Sequence, residues 1–303
     1  MKIEKGFYKN VPAYILDTGV CRAVVLPEDG GKIASFIALA TGRELLLVRE
    51  TDEYARIRME DSFELGECSG FDDMFPTIDP ERVTPDGKEY DYPDHGEICR
   101  VALSATVSDS SLTLTYTSEN IPYSFTKTFT EGEGGEIKIS YIIKNLSAYP
   151  LPALFAAHCL LRTEDGGRLI FPFGLGEPCD LISDTSGEYA APVRIPLSED
   201  FVVSREAEGN PHSKKIYFPN RCPIGRVEYE YPSGERFVMK FDSKTLCYLG
   251  IWYNYRGIRD DFCIGIEPAS LGYDTVSAAK KMGQQSPIPS GESLEFYISI
   301  GVS

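Results

Sequence analysis

Apolar and polar residues alternate along much of this chain, with the two-residue period that is typical of strands with one buried face. The clearest runs put these side chains on one face: Leu112, Leu114 and Tyr116; Tyr123, Phe125 and Phe129; Ile137, Ile139, Tyr141 and Ile143. A helical period is nearly absent, and its best candidate is the short segment 276–282. The pattern predicts an all-β fold, a large antiparallel β-sandwich whose two sheets pack face to face.

The connections between these runs fit the same architecture. Segments 228–231 and 236–241 alternate on either side of the sequence PSGE, which is typical of a hairpin turn. The last run, 294–300, repeats the alternation. The 303 residues contain no internal repeat and no convincing interdomain linker. We therefore expect a single domain, residues 1–303, with a sizeable core.

The chain is acidic, with 46 Asp and Glu against 30 Lys and Arg and a formal net charge of −16. Such a surface repels nucleic-acid phosphates and anionic lipid headgroups, so neither nucleic acid nor membrane is expected as a partner. The sequence begins without an apolar targeting segment and has no run of about 18 apolar residues. We expect a cytoplasmic protein that acts on a small molecule; the oligomeric state is left open.

Two segments break the strand rhythm. Residues 49–99 contain 16 acids and 5 bases, a net charge of −11, and so carry most of the chain's excess charge. A solvated surface explains this composition, although long ordered loops are also where binding residues are found. Residues 174–220 are rich in Gly, Pro, Ser and Glu and are expected to form long connections.

Familiar catalytic motifs are missing from the sequence. It has no GxSxG, Walker A, GxGxxG or HExxH pattern. Its eight cysteines form no CxxC pair, so we expect free thiols. No EF-hand pattern or histidine-rich cluster favours a metal, and neither a metal nor another cofactor is predicted. Paired carboxylates for glycoside hydrolysis stay open, because their separation in the fold decides that chemistry.

The three histidines differ in their settings. His95 lies in a turn-forming stretch between Pro93 and Gly96, where both a surface position and a functional one are open. His212 has a similar setting without apolar neighbours and is expected to be exposed. His158 shares a strand face with apolar residues, so its ring needs a buried partner or a cavity. Small residues at 156 and 157 leave space there for a ligand.

Glu267 ends the apolar run 262–268. The apolar residues at 262, 264 and 266 form one face of this predicted strand, so Gly265 and Glu267 lie on the other, and Pro268 favours an extended backbone. A carboxylate at the floor of a pocket is partly desolvated, which raises its pKa toward the range useful for a general base. A strand-end glutamate that points into water is the alternative.

Five short segments follow one another along the chain: GFDDMFP at 70–76, HGEICR at 95–100, AAH at 156–158, GIW at 250–252 and IEP at 266–268. In this order and spacing they resemble the signature of the aldose 1-epimerase (galactose mutarotase-like) superfamily. The similarity spans most of the chain. It implies the galactose mutarotase-like supersandwich fold, and an isomerase that interconverts the α and β anomers of a hexose or related sugar.

The resemblance also implies roles for individual residues. A glutamate at the position of Glu267 removes the proton from the anomeric hydroxyl, while a histidine at the position of His158 protonates the ring oxygen. The ring opens, and rotation about the C1–C2 bond before reclosure gives the other anomer. A histidine at the position of His95 orients the sugar through a hydrogen bond to the ring oxygen or a neighbouring hydroxyl.

Three further residues are candidates for substrate binding. Trp252 offers an apolar face to a sugar ring, and Arg58 and Asp73 lie near the matched segments. The two N-terminal segments look more like the hexose-phosphate branch of the family, although the charge around them disfavours an anionic ligand. The family's aspartate between the matched histidine and glutamate has no clear counterpart; Asp242 lies in the right interval.

Two other classes of function fit the same residues. One is a carbohydrate-binding or sugar-sensing protein that keeps the pocket without turnover. The other is a carbohydrate-active hydrolase or lyase on a related sandwich. Fold resemblance supports all three readings equally, so only the site residues favour the isomerase.

Overall fold

A computed structural model describes residues 1–205 and 210–303. In this part of the chain the backbone forms 22 strands and one short α-helix. In chain order these are β1 (Lys2–Tyr8), β2 (Val11–Asp17), β3 (Cys21–Leu26), β4 (Lys32–Ala38), β5 (Arg43–Glu44), β6 (Phe71–Met74), β7 (Glu81–Val83), β8 (Tyr90–Tyr92), β9 (Ser104–Val107), β10 (Ser111–Thr117), β11 (Tyr123–Glu131), β12 (Ile137–Asn145), β13 (Ala156–Arg162), β14 (Arg168–Ile170), β15 (Pro178–Asp184), β16 (Val193–Pro196), β17 (His212–Tyr217), β18 (Arg226–Glu230), β19 (Arg236–Phe241), β20 (Tyr248–Tyr255), β21 (Phe262–Ala269), α1 (Val276–Lys281) and β22 (Ser293–Val302).

The described strands pair antiparallel in two large sheets and one small one. The larger sheet has 12 strands in the order β1-β2-β3-β4-β6-β13-β21-β20-β17-β15-β16, with β5 paired to β4. The smaller sheet has 8 strands in the order β14-β18-β19-β22-β12-β11-β10-β9, and β7 pairs with β8. Strands that are distant in the sequence also pair in the larger sheet: β13 lies between β6 and β21.

The main core lies between the two large sheets. The side chains that the alternation assigns to one face are buried in it, except Tyr116, which is half-buried. From β21, Ile264 and Ile266 enter this core, so Glu267 lies on the outer face of the larger sheet, which points away from the smaller sheet. The predicted all-β antiparallel sandwich is confirmed.

Three local predictions are also confirmed. Strands β18 and β19 form the hairpin, with Glu230 opposite Arg236. The alternating C-terminal run lies in strand β22, which pairs with both β12 and β19. The helix α1 occupies most of the segment with helical periodicity, and the side chain of Thr275 caps it by accepting a hydrogen bond from the Ala278 amide at 3.0 Å.

Two expectations are wrong. The segment 174–220 is not a set of long connections, because β15, β16 and β17 lie within it; residues 206–209 fall outside the described part of the chain. His212 is partly buried rather than exposed, since its ring packs 5.1 Å from that of Tyr255.

In the acidic segment 49–99 many side chains are exposed, but Glu67, Asp72, Asp73 and Glu97 are buried.

All eight cysteines are buried, and none forms a disulfide. The described helices are too short or too polar to cross a membrane.

A charged pair lies inside the main core. Lys127 of β11 and Asp73 of β6 both have fully buried side chains, and their Nζ and Oδ2 atoms are 2.7 Å apart. The ammonium also donates to the Gly31 carbonyl at 2.9 Å, and the Tyr141 hydroxyl donates to Asp73 at 2.9 Å. These contacts give partners to most of the polar side-chain atoms of Lys127 and Asp73. Without such partners the two charges would be unfavourable in an apolar core.

Candidate functional site

A cavity of about 390 Å³ opens on the outer face of the larger sheet. Its floor comes from strands that are neighbours in the sheet, and its rim comes from the acidic segment and the chain after β21. Four of the residues singled out from the sequence line it together: His95, His158, Trp252 and Glu267. A wider groove of about 870 Å³ lies beside Asp94, but neither these histidines nor Glu267 line it.

Glu267 lies at the floor of the cavity with its side chain fully buried. Its Oε2 atom contacts the Lys215 ammonium at 2.5 Å, whereas Oε1 is buried without a hydrogen-bond partner. Gly265 leaves room beside this oxygen, since a Cβ at that position would lie 3.3 Å from Oε1. Burial raises the pKa of Glu267, and the Lys215 charge opposes that rise. The site thus presents one free carboxylate oxygen.

His158 of β13 faces that oxygen across the cavity floor. Its Nε2 atom is 4.0 Å from Oε1 of Glu267, and its Nδ1 atom is buried without a partner. Burial lowers the pKa of His158 far below its ordinary value, and the charges of His95 and Lys215 add to the effect. Burial therefore favours the neutral form of this imidazole.

His95 reaches the cavity from a tight turn. Its backbone has a φ of 60°, in the left-handed region that few residues other than glycine, asparagine, aspartate and histidine adopt. The ring Nδ1 lies 2.6 Å from Oδ1 of Asp94, and the ring stacks on Phe63 with centroids 4.1 Å apart. Oδ2 of Asp94 accepts a hydrogen bond from the Phe63 amide at 2.8 Å. The orientation of the His95 ring is fixed on two sides.

Lys215 and Asp274 also belong to the site, and neither was singled out from the sequence. Lys215 contacts Asp274 at 3.2 Å in addition to Glu267, and the Tyr217 hydroxyl donates to Asp274 at 2.8 Å. Gly250 makes room for Tyr217, because a Cβ there would lie 2.7 Å from its ring. Burial alone would lower the pKa of Lys215, but the charges of Asp274 and Glu267 raise it above its ordinary value. The segment 212–217 reads HSKKIY, with two consecutive lysines and no apolar alternation, so the local sequence does not mark Lys215.

Apolar surface completes the cavity. The half-buried Trp252 lies opposite Gly265 in the pairing of β20 with β21, and its ring centroid is 6.5 Å from that of His158. Phe63, which no sequence motif marks, packs against His158 in a T-shaped arrangement with ring centroids 5.4 Å apart. Aromatic faces beside polar groups are typical of ligand cavities.

Three residues predicted for binding, or considered for it, do not reach the cavity. The side chain of Arg58 is 80% exposed and pairs with Asp61 at 3.6 Å on the surface. Asp73 faces the main core, because alternation along β6 directs Phe71 and Asp73 inward. Asp242 forms a surface turn, where it accepts a hydrogen bond from the Lys244 amide at 3.1 Å.

Metal ligands do not converge in the described part of the chain, where no three His, Cys, Asp or Glu side chains are grouped to hold an ion.

Comparison with known proteins rests on structure. No protein-family model and no curated protein matches the sequence. The Slr1438 protein of Synechocystis sp. PCC 6803 superposes with a TM-score of 0.73 at 16% identity over 98% of each chain. A galactose mutarotase-like protein of Lactobacillus casei has a TM-score of 0.66 at 15% identity, over 96% of this chain and 100% of its own. The chain has the galactose mutarotase-like fold. A galactose mutarotase related enzyme of Lactobacillus acidophilus agrees, with a TM-score of 0.65 at 13% identity over 96% and 97% of the two chains.

At these identities the likeness shows the galactose mutarotase-like fold alone. Chemistry has to be argued from the side chains of this chain. The relevant facts are one carboxylate oxygen without a partner, a buried imidazole 4.0 Å from it, and a second imidazole backed by a carboxylate.

Proposed function

We propose that this protein is an aldose 1-epimerase-like isomerase that interconverts the α and β anomers of an unphosphorylated sugar. The observation that carries the proposal is the unpartnered Oε1 of Glu267, which lies 4.0 Å from Nε2 of His158 at the floor of a 390 Å³ cavity. A sugar hydroxyl would supply the hydrogen-bond donor that this buried oxygen lacks.

The reaction needs a base and an acid on adjacent oxygens of the sugar. Glu267 takes the proton from the anomeric hydroxyl while an imidazole gives a proton to the ring oxygen, and the bond from C1 to the ring oxygen breaks. The open-chain aldehyde rotates about its C1–C2 bond. On reclosure the protonated Glu267 returns its proton to the carbonyl oxygen, and the imidazole recovers the proton from the attacking hydroxyl. No net proton is consumed.

Aromatic side chains and an ion pair in the cavity support this proton transfer. Trp252 and Phe63 offer apolar surface to the ring, and the Lys215 ammonium favours the ionised form of Glu267. Since Lys215 occupies Oε2, the oxygen left for the sugar is Oε1.

Polarimetry of freshly dissolved aldoses tests the proposal. We expect the approach to anomeric equilibrium to be faster with the protein than in buffer, in proportion to protein concentration. A sugar-binding protein without turnover would give calorimetric binding and no acceleration. A hydrolase or lyase would instead cleave bonds in an oligosaccharide screen.

We predict that unphosphorylated aldoses are better substrates than their 6-phosphates. Four carboxylates line the cavity, from Glu64, Asp79, Glu267 and Asp274, whereas its lysine, Lys215, already contacts two of them. No arginine lies among the described lining residues. Because like charges in a binding site are costly, kcat/KM should favour the free sugar by about tenfold or more.

The comparison is made with one aldose and its 6-phosphate in the same NMR exchange assay, at low and high salt. Discrimination should decrease at high salt, because salt screens charge repulsion. Equal or faster exchange of the phosphate would contradict this assignment.

Replacing Lys215 with Met should move the acid limb of the pH–rate profile to higher pH. Glu267 acts as a base only when ionised, so activity is lost as the pH falls through its pKa. Burial raises the pKa of Glu267 and Lys215 opposes that rise, so removal of the ammonium raises the pKa further. Lys215→Arg keeps the charge and should leave the limb near its wild-type position. An acid limb that does not move in Lys215→Met would exclude this role.

A further inference from the structure

We infer that the preferred substrate of this site is an aldose that carries an ammonium group, and that Asp79, with Asp274 beside it, binds that group. This substrate class rests on the proposed function and narrows it. It follows from how the carboxylates at the rim of the cavity are held, and from which of their oxygens lack a partner.

Asp79 is a carboxylate of the cavity wall that has no counter-ion. It lies between β6 and β7, where its side chain is open to the cavity. Within residues 1–205 and 210–303 its side-chain oxygens have no hydrogen-bond or ion-pair partner.

Asp274 leaves a further oxygen available at the same rim. Its Oδ1 atom lies 3.2 Å from the Lys215 ammonium and accepts a hydrogen bond from the Tyr217 hydroxyl at 2.8 Å. Its Oδ2 atom has no such partner among the described residues. Together with the two oxygens of Asp79, the rim therefore offers three carboxylate oxygens to a ligand that brings donors.

The backbone holds these two carboxylates beside each other. The Asp274 carbonyl accepts hydrogen bonds from the Ile78 amide at 3.0 Å and from the Asp79 amide at 2.8 Å. A second connection lies nearby, because the Glu81 carboxylate accepts a hydrogen bond from the Val276 amide at 2.7 Å. Since the two segments are joined at two points, repulsion between Asp79 and Asp274 does not separate them.

The charges around Asp79 make this arrangement unfavourable without a cation. Partial burial raises the pKa of Asp79, and the charge of Asp274 raises it further. Lys215 from β17 and His95 from the turn after β8 oppose the rise, whereas Asp94 adds to it. Lys215 already contacts Asp274. The ring of His95 is likewise engaged, with its Nδ1 atom 2.6 Å from Asp94. A cation bound between Asp79 and Asp274 relieves the repulsion.

The floor of the cavity supplies an independent sign of a ligand. Oε1 of Glu267 is buried without a hydrogen-bond partner, and the side chain has no exposed area. In the proposed function this oxygen accepts the proton of the anomeric hydroxyl. A molecule that serves both the floor and the rim has an anomeric hydroxyl and a cation, and an amino aldose has both.

An ammonium group fits the rim better than a hydroxyl does. It carries three N–H donors and no acceptor, whereas a hydroxyl donates a single proton. Its charge is also opposite to that of Asp79 and Asp274, and hydrogen bonds between charged groups are stronger than neutral ones. We therefore expect kcat/KM to be about tenfold or more higher for an amino aldose than for the corresponding neutral aldose.

The experiment measures anomer exchange by NMR for glucose, glucosamine, 6-amino-6-deoxyglucose and N-acetylglucosamine, each relative to its rate in buffer. At least one of the two amino sugars should exceed glucose, whereas N-acetylglucosamine, whose amide is neutral, should not. High salt should reduce the preference, because it screens the attraction. Two amino sugars that are no better than glucose would overturn the inference.

The pH dependence shows whether the charge of the sugar is what the site recognises. The ratio of kcat/KM for the preferred amino sugar to that for glucose should fall as the pH rises through the pKa of the sugar's amine. NMR of the free sugar measures that pKa. The ratio cancels the titration of protein groups that act on both sugars alike. A ratio that stays constant across this pKa would contradict recognition of an ammonium.

Asp79→Asn removes the carboxylate and keeps the backbone contacts of the residue. The variant should lose most of the preference for the amino sugar, while exchange of glucose changes little. Because the substitution removes a repulsion, its thermal stability should be no lower than that of the wild type. Equal losses for glucose and the amino sugar would mean that Asp79 binds a hydroxyl, against the inference.

Asp109→Asn is the matched control. Asp109 is exposed between β9 and β10 and does not line the cavity, so its substitution changes the net charge of the protein by the same amount at another place. This variant should keep the preference for the amino sugar. A preference lost equally in both variants would assign it to the overall charge and not to Asp79.

The outcomes separate this inference from the function on which it rests. If glucose exchange is accelerated and no amino sugar is preferred, the function stands and the ammonium site is wrong. If no sugar is accelerated, the proposed function fails, and calorimetry with the two amino sugars then tests the site alone. Binding that Asp79→Asn weakens and Asp109→Asn does not would support the site, and equal affinities in all three proteins would overturn it.

Discussion

Glu267→Gln is expected to lower kcat for anomer exchange by about 10²–10⁴-fold, the contribution of a general base. Glutamine has nearly the same shape but cannot accept the proton of the anomeric hydroxyl. The residue is fully buried, and its free Oε1 is the atom placed at the cavity floor. KM should change less than kcat, because an amide still hydrogen-bonds a sugar hydroxyl.

The substitution leaves Lys215 with Asp274 as a partner, so we expect the variant to fold. Circular dichroism and calorimetric sugar binding check this directly. Glu4→Gln is the matched control, because the Glu4 side chain is 55% exposed on β1 and its loss should leave exchange unchanged. A Glu267→Gln enzyme within about threefold of the wild type would remove Glu267 from the reaction.

Lys127→Met is expected to lower the free energy of unfolding by about 3–5 kcal/mol. The substitution leaves the Asp73 carboxylate in the core, where the side chains of both partners have no exposed area. Burial raises the pKa of Asp73 and Lys127 opposes that rise, so the variant should hold Asp73 more readily as the neutral acid. Urea unfolding measures the change.

Removing both charges should recover part of the loss. In Lys127→Met with Asp73→Asn no uncompensated charge is buried, so the double variant should be more stable than Lys127→Met alone. Lys138→Met on the neighbouring strand β12 is the matched control, since Lys138 is exposed and should change stability by less than about 0.5 kcal/mol. A loss below about 1 kcal/mol in Lys127→Met would show that the buried pair does not stabilise the core.

The sequence predicts the strands and their faces well, because a two-residue period states directly which side chains share a face. It placed Glu267 with Gly265 on one face of their strand, opposite Ile264 and Ile266, and the structure has this arrangement. The sequence did not predict that β13, β21 and β20 lie beside one another, because a local pattern does not specify which distant strands pair.

The site residues that the sequence did not reveal are those whose role depends on which distant strands pair. Lys215 meets Glu267 only because β17 and β21 flank β20. Asp73 was expected to bind substrate, but one of two consecutive aspartates on a strand must face inward, and Asp73 is the one that does. Lys127 was the unused signal, because a lysine between Phe125 and Phe129 on an apolar face requires a buried carboxylate.

Exchange between the α and β anomeric protons of an unphosphorylated aldose at equilibrium, followed by ¹H NMR, tests the central claim most directly. We predict exchange above the buffer rate with the wild-type protein, and its loss with Glu267→Gln at equal concentration. Exchange at the buffer rate for every aldose in a broad panel of hexoses and pentoses would contradict the account.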